Sequence, residues 1–218
     1  MNMETEALAG TGLRYFGKMM AAISHEIKNS LAIINENAGL MEDLSLMAKS
    51  GHQLDSERVG AISGRVIKQV QRADTTVKKM NRLAHSVDDP VKEIDVADLL
   101  AFTMELGKKT VASLGVDLQM TPPASPVRIN SNPFLVMNLM WEVMGYACTR
   151  VNGGSTITIT IARNANGVEL AFSPVSDDGH DGFSLDQAPF SGLVSCLNAE
   201  ILALADRQAL VLTLPETV

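Results

Sequence analysis

The sequence predicts an α+β protein: a long helical hairpin that forms a dimeric four-helix bundle, followed by an α/β sandwich. Three observations carry this. Apolar residues recur every three or four positions from Leu13 to Val87. Beyond Asp88-Asp89-Pro90 the helical period gives way to short alternating runs mixed with compact helices. Hydrophobic residues make up 46% of the 218, enough to build a core and too many for a disordered chain.

The first series runs Leu13, Phe16, Met20, Ile23, Ile27, Leu31 (or Ser30), Ile34, Ala38, Met41. This is a near-heptad seam along one face of a helix. Ser50-Gly51 breaks it, and a second series runs Val59, Ile62, Val66, Val70 (or Gln69), Ala73, Val77, Met80, Leu83 or Ala84, Val87. At a 1.5 Å rise per residue each helix is about 50 Å long. One pair of such helices leaves half of each seam uncovered, so two hairpins side by side, a homodimer, are expected. Pro90 closes the second helix, because the residue before a proline avoids helical backbone.

The remaining elements follow from local signals. Glu93 to Val96 reads as a strand. Ala97 to Leu114 reads as a helix stopped by Gly115. Val116 to Met120 and Val127 to Ile129 read as strands around a proline-rich turn, and Pro133 opens an apolar helix reaching Val151. Thr156 to Ala162 and Val168 to Phe172 alternate about Asn166-Gly167, a hairpin signal. Gly192 to Asn198 reads as a short helix, and Ala199 to Ala205 with Gln208 to Leu214 as a last hairpin about Asp206-Arg207. The sum is a mixed sheet with helices on one face. The expected domains are 1–90 and 91–218.

Composition excludes several classes. A net charge of −7 argues against nucleic acid, which requires a basic face. No apolar stretch approaches the roughly 20 residues needed to cross a bilayer. The acidic start, Met1 to Gly12, has no signal-peptide pattern, so a cytoplasmic location is expected; the missing trailing linker hints at a complete chain, with a piece of a longer sensor as the alternative. Cys148 and Cys196 sit among apolar neighbours and are expected to be buried thiols. No Cys or His pair has metal-ligand spacing, so no metal is expected.

The most informative stretch is Ile23-Ser24-His25-Glu26-Ile27-Lys28-Asn29-Ser30-Leu31. Ile23 and Ile27 belong to the seam, and His25 points about 200° away from each, toward solvent. An imidazole with its usual pKa of about 6.5 is largely neutral at pH 7 and is then a nucleophile. Glu26, its neighbour, can hold or accept the ring proton. Asn29, one turn on, shares its face and can orient a water or a phosphoryl oxygen.

His25 to Leu31 resembles the H-box of sensor histidine kinases, H-E-x-x-[TN]-P-L, in the first helix of a dimerisation and phosphoacceptor hairpin. His25, Glu26, Asn29 and Leu31 match; Ser30 replaces the proline, which implies a straighter helix. The order of elements after Pro90 is similar to the family's ATP-binding domain. The resemblance implies that His25 is the phosphorylated residue, Glu26 its acid/base partner and Asn29 a water-positioning residue. It also implies that Lys28 and Ala32 face a response regulator.

The same resemblance implies a degenerate histidine-kinase-type sandwich. With Asn132-Pro133 on the family's helix start and Ala147 on its alanine, Glu142 takes the first asparagine position of the N-box. Tyr146 then takes the second, the magnesium-binding one, where a phenol is a poor ligand. A register shifted by one turn would use Asn138 and Glu142. Asp177 and Gly179, with Gly182, form only a loose D-x-G-x-x-G in place of the adenine turn, and Phe183 to Ser191 is too short for a glycine-rich lid. Ala209 to Pro215 resembles the family's last strand. No cofactor is therefore expected.

These features imply a histidine phosphotransferase of a two-component phosphorelay. His25 would shuttle phosphate between receiver aspartates without ATP, with response-regulator receiver domains as partners and the sandwich as a docking wall. The alternatives are a non-enzymatic pseudokinase regulator that binds receivers or kinases, and a divergent active kinase or phosphatase.

Overall fold

The computed structural model describes residues 3–175 and 190–217. It divides into two compact units, one formed by Gly17–His85 and the other by Met1–Phe16 together with Ser86–Val218.

The first unit is a helical hairpin. Helix α1 spans Met3–Lys49, so it starts well before the apolar series begins at Leu13. It ends at Ser50, whose hydroxyl donates to the Met47 carbonyl at 2.8 Å, and at Gly51, whose φ of 92° favours glycine. Helix α2 spans Ser56–Ala84. The Asp55 carboxylate caps it, accepting from the backbone N–H groups of Glu57 and Arg58 at 3.0 and 3.1 Å. A short 3-10 turn, His85–Val87, ends the helix before Pro90.

The hairpin buries Ile23, Ile62 and Leu83 of the expected series, and where that series offers Leu31 or Ser30, and Val70 or Gln69, it takes Ser30 and Gln69. Ile23, Ser30, Asn37 and Leu44 are buried on α1 at strict seven-residue spacing; Ile62, Thr76 and Leu83 are buried on α2, with half-buried Gln69 completing its heptad. Leu13 and Met41 lie exposed, as do Leu31 (55%), Val70 (52%), Val77 and Val87. The reason is angular. Leu31 and Val70 sit one residue, about 100°, beyond Ser30 and Gln69. At both positions the intrachain seam takes the polar residue and leaves Leu31 and Val70 outside.

The second unit is the sandwich. Strand β1 (Lys92–Asp95) pairs antiparallel with β3 (Arg128–Ser131) in a two-stranded sheet. Helix α3 (Val96–Ser113) is capped by the Asp95 carboxylate and followed by Gly115 with φ 72°. Strand β2 (Asp117–Thr121) lies parallel to β4 (Thr156–Asn164). Helix α4 (Pro133–Thr149) starts with Pro133 in its first turn. Its cap, Asn132, accepts from the Leu135 N–H and donates to the Pro90 carbonyl. Strand β5 (Gly167–Ser173) forms the expected hairpin with β4. Helix α5 (Ser191–Cys196) precedes β6 (Glu200–Leu204), and a 3-10 turn, Ala205–Arg207, leads into β7 (Ala209–Leu214).

The larger sheet has the order β2-β4-β5-β7-β6, with β2 the one parallel neighbour. The two strands flanking the proline-rich turn thus join different sheets. Ile157, Ile159 and Ile161 on β4 and Val168, Leu170 and Phe172 on β5 are buried at alternate positions. Helix α4 buries Val136, Leu139, Met140, Val143 and Met144. Burying one such side chain fully stabilises the fold by about 1.5–3 kcal/mol. Gly107 on α3 lets Trp141 of α4 pack against the backbone, where a Cβ would overlap the indole ring. Tyr15, from the first turns of α1, is enclosed by Phe134 and Trp141, with ring centroids 5.7 and 6.5 Å away. Cys148 is buried, and desolvation raises its thiol pKa. Cys196, expected to be buried, is exposed; it shares the short α5 with Leu193, which is the residue of that helix that faces the core.

Candidate functional site

His25, Glu26 and Asn29 lie on a stretch of α1 that runs unbroken through Ser30. Serine keeps the backbone N–H that a proline at this place would remove, so the helix needs no kink. The Ser30 side chain is 1% exposed and its Oγ is buried without a hydrogen-bond partner. His25 and Asn29 are exposed, and Glu26 is partly buried.

Within this site the Asn29 side-chain Nδ2 lies 3.2 Å from His25 Nδ1. An amide nitrogen can only donate, so in this orientation Nδ1 accepts and the ring proton sits on Nε2. A half-turn of the amide presents Oδ1 instead. Nδ1 then carries the proton and Nε2 has the free lone pair. Asn29 is therefore placed to choose which ring nitrogen is nucleophilic.

Glu26 is drawn across the hairpin. Its Oε1 accepts from Arg72 Nη2 at 3.0 Å and from Arg72 Nε at 3.4 Å, a pair formed between α1 and α2. The side chains are 23% and 53% exposed, so the pair contributes only about 0.2–1 kcal/mol to stability. Reading the sequence for chemistry on α1 alone missed Arg72. The only available signal was an arginine on the polar face of the second helix, and its opposition to Glu26 depends on a hairpin register that spacing does not give.

The positions expected to be a lost nucleotide site lie on α4. Tyr146 packs edge-on against Phe190, with centroids 5.9 Å apart at 89°. The Arg150 guanidinium sits over the same tyrosine ring at 5.0 Å, a cation–π contact. Beside Tyr146, Arg150, Val175 and Leu204 remains a cavity of about 20 Å³, about one water molecule in size. Glu142 is half-buried. Asn138, the first position of the alternative register, is fully buried and both atoms of its amide lack partners. Neither position offers magnesium a ready ligand: the Tyr146 ring is engaged by Phe190 and Arg150, and the Asn138 amide is sealed in the core. Asp177 and Gly179 lie outside the described residues. A larger, mostly apolar groove of about 390 Å³ opens between α3 and β2, lined by Met104, Lys108, Val116 and Leu118 among others; none of the expected site residues borders it.

Among the described residues no helix is long and apolar enough to cross a membrane, and no three His, Cys, Asp or Glu side chains cluster as a metal site.

No protein-family model and no curated protein sequence matches the chain. Solved structures similar to it include histidine kinases and their domains. Histidine kinase AdeS of Acinetobacter baumannii is 10% identical, with 88% of this chain and 98% of that one covered and a TM-score of 0.47. The catalytic domain of histidine kinase ThkA is 12% identical over 58% of this chain and 97% of that one, with a TM-score of 0.47. ThkA in complex with the response regulator TrrA is 14% identical over 94% of this chain and 63% of that one, with a TM-score of 0.46.

Proposed function

We propose that this chain is a histidine phosphotransferase of a two-component phosphorelay, in which His25 carries phosphate between aspartates of response-regulator receiver domains. The observation that carries the reading is an exposed imidazole with the Asn29 amide 3.2 Å from one ring nitrogen. Such a ring is open to a large partner and has a group that sets its tautomer.

The transfer is a displacement at phosphorus. The free ring nitrogen attacks the receiver's aspartyl phosphate, an N–P bond forms, and the P–O bond breaks with its electron pair on the aspartate. The proton on the other ring nitrogen passes to Glu26 or to water. No nucleotide enters, and the engagement of the Tyr146 ring by Phe190 and Arg150 supports that part of the proposal. The working form is a cytoplasmic homodimer: Leu31, Met41, Ile67, Val70 and Val77 leave the hairpin with an apolar face to cover. Residues 1–90 serve as the phosphoacceptor and dimerisation part, and residues 91–218 as the sandwich.

The test is to mix the chain with phosphorylated receivers and measure acid-labile phosphate on it, with His25→Gln as the control. Label that disappears in the variant supports transfer. Tight binding without label replaces the reading with a non-enzymatic regulator. Label from ATP alone, without a receiver, replaces it with a divergent kinase.

A further inference from the structure

The Arg72 to Glu26 pair sits beside the proposed phosphoacceptor, and it contributes little to stability. At 53% exposure the guanidinium gains little from a single carboxylate oxygen. It is nevertheless held within hydrogen-bond distance of the residue adjacent to His25, by two of its nitrogens. A phosphoryl group on His25 would place a second, more highly charged anion next to Glu26. Guanidinium binds phosphoryl oxygens with paired hydrogen bonds, which a lone ammonium or amide does not match.

We infer that Arg72 is the phosphoryl-holding residue of this site, resting on Glu26 while His25 is unmodified and turning to the phosphoryl oxygens during transfer. This rests on the reading of His25 as phosphoacceptor and adds a residue from the other helix to it. As the ring nitrogen attacks, charge spreads over the equatorial phosphoryl oxygens, and a cation there lowers the barrier. The same movement releases Glu26 from its ion pair as the ring gives up its proton, so the carboxylate becomes a better acceptor when one is needed. Arg72 thereby couples arrival of phosphate to availability of the base.

The experiment uses phosphoramidate, a small donor that needs no receiver, on the full chain. In that reaction the P–N bond breaks with its electron pair on departing ammonia, and the new N–P bond forms on His25. Labelling rates are compared for the unaltered protein, R72K, R72Q, E26Q and the E26Q/R72Q double variant, each checked for an unchanged melting curve. The expected result is that R72Q labels roughly tenfold to a hundredfold more slowly and that R72K falls in between. The further expectation is that R72Q slows labelling in the E26Q background too. Equal rates for R72Q and the unaltered protein overturn the inference. So does a slowing that vanishes in the E26Q background, since Arg72 would then act only by positioning Glu26. If R72Q does not fold, the comparison of R72K with the unaltered protein decides in the same way. If the unaltered protein takes no label from phosphoramidate or from receivers, the phosphoacceptor reading itself fails, an outcome distinct from the other two.

Discussion

Asn37 offers the sharpest test of how the hairpin is held together. It is 4% exposed on the buried stripe of α1. Its Nδ2 donates to the Ile33 carbonyl at 2.7 Å, and its Oδ1 is buried with no partner. An unpaired buried acceptor costs about 1–3 kcal/mol. Asn37→Leu removes that cost and adds apolar burial of about 1.5–3 kcal/mol. Against this stand the lost bond to Ile33, about 0.5–1.5 kcal/mol, and the strain of a larger side chain, about 1–3 kcal/mol. The balance is about 1–2 kcal/mol in favour of leucine. For a chain of this size that corresponds to a rise in melting temperature of roughly 2–8 °C. The assay is thermal unfolding followed by circular dichroism, with urea titration as a second measure and sedimentation to confirm an unchanged oligomeric state. A variant that melts lower than the parent by several degrees would show that Oδ1 has a partner, and the argument for a frustrated polar stripe would be lost.

Three further outcomes follow from packing and burial. Gly107→Ala sets a methyl against the Trp141 ring and should destabilise by about 1–3 kcal/mol, seen as an early urea transition and altered tryptophan fluorescence. Burial pushes the Tyr15 phenol well above its usual value, because the charged form would be desolvated. Its folded pKa is thus raised, so its contribution to stability is fully present below about pH 10, the usual phenol value. That contribution is lost as the pH rises beyond it, and Tyr15→Phe should flatten the alkaline fall in melting temperature. Cys196 should react with a thiol reagent in the native state while Cys148 waits for unfolding; equal rates would contradict their unlike burial.

Much of the sandwich was legible because its boundaries carry local signals. Gly115, Pro133 and Asn166-Gly167 end or start elements by backbone chemistry alone, and α3, α4 and the β4–β5 hairpin appear where those residues put them. What was not legible is non-local. The pairing of β1 with β3 joins Ile94 to Ile129 across α3 and β2, which no spacing rule gives. Arg72 meets Glu26 only once a hairpin register exists. The apolar pattern left Ser30 and Leu31, and Gln69 and Val70, as alternatives, and the hairpin turns the polar member of each inward. Hydrophobic periodicity finds a helix but does not say which of two adjacent stripes faces the partner within the chain.

That last choice links fold to function. A hairpin that spent its apolar stripe on its own seam would have a polar exterior and little reason to associate. Here the inner stripe contains Ser30, Asn37 and Thr76, with polar atoms of Ser30, Asn37 and Gln69 lacking partners, while Leu31, Ile67, Val70 and Val77 face outward. The arrangement weakens the single hairpin from inside and gives its outer face apolar area that is stabilising only when covered. In the proposed homodimer the second copy covers that face. His25 lies on α1 two residues from both Ile23 and Ile27, angularly apart from the buried stripe. The exposed imidazole therefore sits off the buried stripe, where the proposed receiver would meet it without the hairpin opening.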